Sequence, residues 1–143
     1  PLLVYIHGGS WRSGDKNEYE SLGSAVCHLN GTRAVAIINY RLSVRGLEPQ
    51  FVHPGHLLDV ARALRFLYRS GPSFGYDSSR IHISGHSAGA QLVSLLVLQP
   101  IHLITAFAIL DAITHVSGVG GIFDIPKLMA DYPTYIDFIE MAF

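Results

Sequence analysis

The chain has a single cysteine, Cys27, and so cannot build an internal disulfide framework. No Cys-x-x-Cys pair is present to hold a metal or cycle between redox states, and a lone thiol fits a reducing, cytoplasmic compartment. Charge of one sign is also scarce. Ten basic and eleven acidic residues leave a formal net charge of −1, and only 15% of the 143 residues are charged. That balance offers no electrostatic footprint for nucleic acid or an anionic membrane surface, so a small-molecule partner fits better. Long hydrophobic runs are missing too: the apolar stretch 92–98 falls far short of the roughly 20 residues a membrane-spanning helix needs. The opening segment, Pro1 to Ile6, has no basic flank and no small-residue cleavage site, and reads as a strand rather than a signal peptide. Histidine is plentiful at eight residues, but His53 and His56 form the only close pair. With no glutamate between them and no third ligand nearby, they read as non-metal.

What is present is apolar: 49% of the chain, enough for one substantial core and one domain spanning 1–143. Leu2 to Ile6 is a short apolar run closed by Gly8-Gly9, which suits a buried strand ending in a tight turn. Over 17–29, Tyr19, Leu22, Val26 and Leu29 recur at three- and four-residue steps, and Asn30-Gly31 supplies a stop, so a helix is expected. Residues 33–39 form a second buried strand. The helical spacing returns over 57–68, with Arg62, Arg65 and Arg69 on the wetter side and Gly71-Pro72 as its expected end. A strand over 81–84, an apolar helix over 87–98 and a strand over 104–110 complete the pattern. The order β-α-β-α-β-α-β predicts an α/β fold with a mostly parallel central sheet and helices on both faces.

Two segments carry chemistry. Gly85-His86-Ser87-Ala88-Gly89 matches G-x-S-x-G and lies between an expected strand and an expected helix, the setting in which a serine nucleophile is projected from a sharp turn. The small residues Gly85 and Gly89 let strand and helix approach. The helix beginning after Ser87 aims unpaired N–H groups at the same point, making Ala88 one oxyanion donor. The second segment, His7-Gly8-Gly9-Ser10-Trp11, follows the first strand as HGG-type oxyanion loops do. Gly9 and Ser10 are its expected donors, in a turn made by Gly8-Gly9, and loss of one such donor typically costs about 2.7–4 kcal/mol of transition-state stabilisation. His7 reads as an organiser of this loop, not as the base. Trp11 either lids the acyl site, with an indole wall suited to an aromatic substrate, or packs. His86 is given no catalytic role, and Tyr40 to Ser43 and Asp59 read as structural.

Taken together, HGGSW, NYRLS, LLDVARALRFL after a proline, and GHSAG resemble the hormone-sensitive-lipase-like branch of the α/β-hydrolases. Within that branch the tail from Gly120 to Ile125, with Tyr132-Pro133-Thr134-Tyr135, looks most like kynurenine formamidase. The resemblance implies hydrolysis of N-formyl-L-kynurenine to L-kynurenine and formate, a step of tryptophan breakdown that feeds NAD synthesis, with no cofactor. It maps the nucleophile onto Ser87 and the oxyanion donors onto Gly9 and Ser10, and it is consistent with a homodimer.

The same fold places an acid and then a histidine after the nucleophile on later loops. Here only His102 and His115 follow Ser87, and only Asp111 among the later acids precedes a histidine. Asp111 and His115 are too close in sequence to supply separate acid and base loops. The triad's acid and base are therefore expected to be missing from this chain, which is expected to be truncated at both ends. A carboxylesterase of the same fold and a non-catalytic binding protein are the alternative readings.

Overall fold

The computed structural model describes residues 1–30, 34–99 and 107–143. Its first strand, β1 (Leu2–Ile6), buries Leu2, Val4 and Ile6 on one face and half-buries Leu3 and Tyr5 on the other, as alternation along a strand requires. A 3₁₀ turn at Lys16–Tyr19, capped by the Asp15 side chain accepting from the Asn17 N–H, leads into α1 (Glu20–Asn30). Strand β2 (Ala34–Ile38) then pairs parallel with β1, and α1 covers the face carrying Val35 and Ile37 through the close approach of Gly23.

Helix α2 (Gly55–Phe74) turns His56, Leu57, Val60, Ala61 and Leu64 inward at three- and four-residue steps. It returns the chain to the opposite side of β1, where β3 (Ile81–His86) pairs parallel with it. Helix α3 (Ala88–Leu98) is buried along most of its length, from Ala88 to Val93 and again at Leu96. After α4 (Phe107–Ala112), β4 (Ile113–Val119) completes a parallel sheet in the order β2-β1-β3-β4. Two short helices, α5 (Ile125–Asp131) and α6 (Ile136–Ala142), close the described chain. Val4, Ile6, Leu64, Ile81, Ile83, Leu92 and Leu96 form the centre of the core, each contributing about 1.5–3 kcal/mol by its burial.

This topology also brings the candidate site residues together. From β1 the chain moves to one neighbour, β2, and then crosses to the other, β3, so the loops leaving β1 and β3 diverge at their carboxyl ends. In an open parallel sheet that switch point forms the crevice where ligands bind. The Gly8-Gly9 turn and Ser87 are the residues that leave β1 and β3 there.

Two expectations from the sequence are corrected. The strand expected over 104–110 falls partly outside the described residues, and 107–110 belong to α4, with the strand at Ile113–Val119. A short apolar run does not distinguish strand from helix by periodicity. The β-branched residues Ile113, Thr114, Val116 and Val119 mark the actual strand, whereas Phe107 to Ala112 has only Ile109 of that type. Helix α2 also does not stop at Gly71-Pro72 but runs to Phe74 and ends at Gly75 in the left-handed conformation, whose N–H bonds the Gly71 carbonyl. A proline in a helix loses one backbone hydrogen bond and crowds the carbonyl four residues earlier, and it also disfavours helical angles at the residue before it; here that residue is a glycine, which eases the last constraint within two residues of the helix end.

Candidate active site

Ser87 is held at φ 52°, ψ −118°, a conformation that costs a non-glycine residue on the order of 1–3 kcal/mol and persists only where its surroundings fix it. Its surroundings do so from both sides: the Ser87 N–H donates to the Val119 carbonyl at 2.8 Å, and its own carbonyl accepts from the Gln91 N–H at 3.2 Å. The flanking glycines make the turn possible. A Cβ on Gly85 would run into the Gly89 carbonyl and lie 2.7 Å from the Ala90 nitrogen, and one on Gly89 would strike the carbonyls of Ile6 and His7. Gly89→Ala therefore pushes α3 off β1, with an expected loss of about 1–3 kcal/mol in a denaturant melt. Ser87 itself stays half-buried. Just beyond it, the N–H groups of Ala88, Gly89 and Ala90 begin a helix and have no partner four residues earlier, so the positive end of α3 faces this point.

The loop after β1 presses onto the elbow. A Cβ built on Gly8 would lie 3.0 Å from Ser87 Cβ and 2.9 Å from His86 Nδ1, so only glycine lets the two loops meet. Three successive residues then take positive φ: Gly9 at 110°, Ser10 at 52° and Trp11 at 58°. Trp11 anchors the run. Its ring is fully buried, its Nε1–H donates to Gln91 Oε1 at 3.3 Å, and its carbonyl accepts from the Ser43 N–H at 2.8 Å. Of the two roles open to this side chain, the structure shows packing, with Phe143 edge-on at 5.1 Å.

Beneath the loop lies a buried polar frame in which His7, expected to organise the loop, meets Tyr40, expected to be structural; their pairing was not read from the sequence. His7 is fully buried and donates from Nδ1 to the Gly8 carbonyl at 2.7 Å, while its ring stacks on Tyr40 at 4.6 Å. The Tyr40 hydroxyl donates to the carbonyls of His7 and Gly8 at 3.2 and 3.4 Å. Burial pushes its ionisation well above the usual range, which keeps it a donor. Gly14, at φ 100°, packs so closely on His7 and the Gly8 carbonyl that a side chain there has no room. A signal for Tyr40 did exist: it stands just past the end of β2, the strand beside β1, on the side of the sheet where parallel strands end. Its neighbour Arg41 is bound by Asp59 of α2 through the backbone N–H, Nε and Nη2, which ties this segment to the helix.

His56 belongs to the same frame. Ser43 Oγ donates to the Phe51 carbonyl at 2.6 Å and so accepts from His56 Nε2 at 2.9 Å, which places the imidazole proton on Nε2. Burial, reinforced by neighbouring His53, lowers the His56 pKa from 6.5 to about 4. Between those values the unfolded chain takes up a proton that the folded chain refuses. This contribution to stability is thus complete above pH 6.5 and is lost as pH falls toward 4. Urea melts across that window should show the decline, and His56→Gln should flatten it. His53 stacks on Phe143 at 5.1 Å, so the two histidines are engaged separately. Among the described residues no three His, Cys, Asp or Glu side chains group as a metal site.

Other residues lie away from the elbow. His115 pairs with His82 on β4, four residues before Val119, which stands opposite His86; at about 3.3 Å per residue that is roughly 13 Å from the carboxyl end of the strand. Asp111 is exposed on α4, and His102 lies outside the described residues. Two concavities, of about 550 Å³ beside α1 and β2 and about 410 Å³ at the amino ends of β1 and β3, do not include Ser87. No helix among the described residues is long and apolar enough to cross a membrane.

A strained serine between a parallel strand and a helix, met by a glycine loop from the neighbouring strand, is the arrangement of the α/β-hydrolase class, and solved structures agree. Esterase B from Lactobacillus rhamnosis superposes with a TM-score of 0.76 at 25% identity, covering 99% of this chain and 45% of that one. A bacterial heroin esterase superposes with a TM-score of 0.62 at 33% identity, covering 71% and 30%. More narrowly, the chain belongs to the BD-FAE family, whose family model matches residues 1–106. Among curated proteins it is 32% identical over 149 residues to kynurenine formamidase of Meyerozyma guilliermondii, covering 99% of this chain. The chain spans 51% of that relative's length.

Proposed function

We propose that the protein is a serine hydrolase of the kynurenine formamidase type, in which Ser87 is the nucleophile and the N–H groups of Gly9, Ser10 and Ala88 receive the oxyanion. The observation that carries this reading is the contact of Gly8 with Ser87 at a serine held in strained backbone angles. Ser87 Oγ attacks the formyl carbon of N-formyl-L-kynurenine, and the negative charge that develops on the formyl oxygen rests on fixed backbone donors. Collapse breaks the C–N bond and expels the amine of L-kynurenine, which takes up the proton given up by the Ser87 hydroxyl; water then attacks the serine ester, releasing formate and restoring the hydroxyl. The cycle calls for no cofactor. The chain's likeness over nearly its whole length to a kynurenine formamidase supports the choice of substrate. We assign the enzyme to the cytoplasm as a homodimer acting on a small molecule, and its lone cysteine supports a reducing compartment.

The structural likeness to esterases favours a second reading, a carboxylesterase, because the same oxyanion hole serves ester and amide alike. Comparing kcat/KM for N-formyl-L-kynurenine and p-nitrophenyl acetate on the protein expressed from its complete open reading frame separates the two. The formamidase reading expects the formamide to be preferred by about 100-fold or more, a difference of about 2.7 kcal/mol in transition-state binding. The reverse preference makes it an esterase. Turnover of neither substrate supports the non-catalytic reading.

A further inference from the structure

The peptide unit joining Gly8 to Gly9 has no side chain on either flank, so nothing local restrains its rotation. Yet a trans peptide points its N–H and C=O in opposite directions, and a half-turn would replace a donor with a carbonyl oxygen facing the oxyanion. The direction of each proposed donor is therefore decided by what holds the carbonyl at the far end of its own peptide unit.

Both far ends are held. The Gly9 N–H shares its peptide with the Gly8 carbonyl, which accepts from His7 Nδ1 at 2.7 Å and from the Tyr40 hydroxyl at 3.4 Å. The Ser10 N–H shares its peptide with the Gly9 carbonyl, on which the N–H groups of Arg12 and Ser13 and the Ser13 hydroxyl converge, each at 3.0 Å. We propose that Tyr40 and Ser13 are positioning residues that aim the Gly9 and Ser10 N–H groups by fixing the carbonyls on the opposite side of those two peptides. This rests on the reading of Ser87 as an acyl-transfer nucleophile. Neither hydroxyl touches the reacting atoms. Tyr40 acts from the neighbouring strand end, buried against His7, whereas Ser13 acts from the exposed return of the loop.

A fluorophosphonate tests this, because its P=O must occupy the oxyanion hole for the serine to be phosphonylated. In the protein expressed from its complete open reading frame, the maximal labelling rate should fall about tenfold in Tyr40→Phe and in Ser13→Ala, while the concentration for half-maximal rate stays within about twofold. Ser13→Thr, which keeps the hydroxyl, should restore the rate to within about threefold of wild type. A merely structural role predicts no such split and no rescue. Since Ser13 is exposed, its variants remain informative even if Tyr40→Phe folds poorly. Wild-type labelling rates in Ser13→Ala, or failure of Ser13→Thr to restore a lost rate, overturn the inference while leaving the nucleophile reading intact. Labelling that is absent from wild type, or unchanged in Ser87→Ala, overturns both.

Discussion

Ser87→Ala should abolish acyl transfer, lowering kcat by roughly 10⁴–10⁶-fold, because the alternative is attack by water with only the oxyanion donors and binding left to help. Folding should be nearly untouched, since alanine inherits the backbone strain of serine at φ 52°. Ser87→Gly should separate the two effects. It loses activity to the same extent, yet relief of the strained φ and ψ outweighs the added freedom of the unfolded chain, giving a gain of about 1 kcal/mol over Ser87→Ala in chemical denaturation. A glycine variant that is less stable than the alanine variant contradicts the account of a sprung elbow held by the Val119 and Gln91 backbone contacts.

Trp11→Ala should cost about 3–5 kcal/mol, the largest stability loss expected from a single substitution here, because it empties the site of the bulkiest fully buried side chain. The damage extends beyond the cavity. The Trp11 ring pins the end of three successive positive-φ residues, two of them not glycine, through its indole bond to Gln91, and the alanine variant keeps only the backbone bond from the Ser43 N–H. With the side-chain anchor gone, that one bond is left to oppose the return of Ser10 and residue 11 to ordinary backbone angles, and the loop loosens from the elbow. Thermal unfolding and fluorophosphonate labelling should fall together in this variant. Trp11→Phe should retain most of the packing, lose the indole bond to Gln91 and fall between the two. An alanine variant that labels at the wild-type rate indicates that the loop keeps its shape without the anchor.

The motifs were legible in the sequence because their spacing is dictated by backbone sterics. A strand that turns sharply into a helix leaves no room for a Cβ two residues before or after the serine, and the close backbone approaches at Gly85 and Gly89 are those contacts. The parallel sheet was legible from the near-continuous apolar strands at Leu2–Ile6 and Ala34–Ile38. What escaped were contacts between residues far apart in sequence. Tyr40 lies 32 positions from the Gly8 carbonyl it reaches, and Gln91 lies 80 from Trp11. Pairing across such distances depends on strand order, which periodicity does not encode. The misplaced final strand has a local cause: Phe107 to Leu110 is apolar enough to suit either state, and the helix that forms there leaves the strand to the β-branched segment after it.

The most direct test of the central claim is to catch the serine ester itself. The protein from its complete open reading frame is mixed with N-formyl-L-kynurenine, quenched in acid during turnover, digested and examined by mass spectrometry. A formyl ester should appear on the peptide containing Ser87, present during turnover, lost once substrate is exhausted and never seen in Ser87→Ala. Continued release of formate by Ser87→Ala, or a formyl ester on another residue, contradicts that claim.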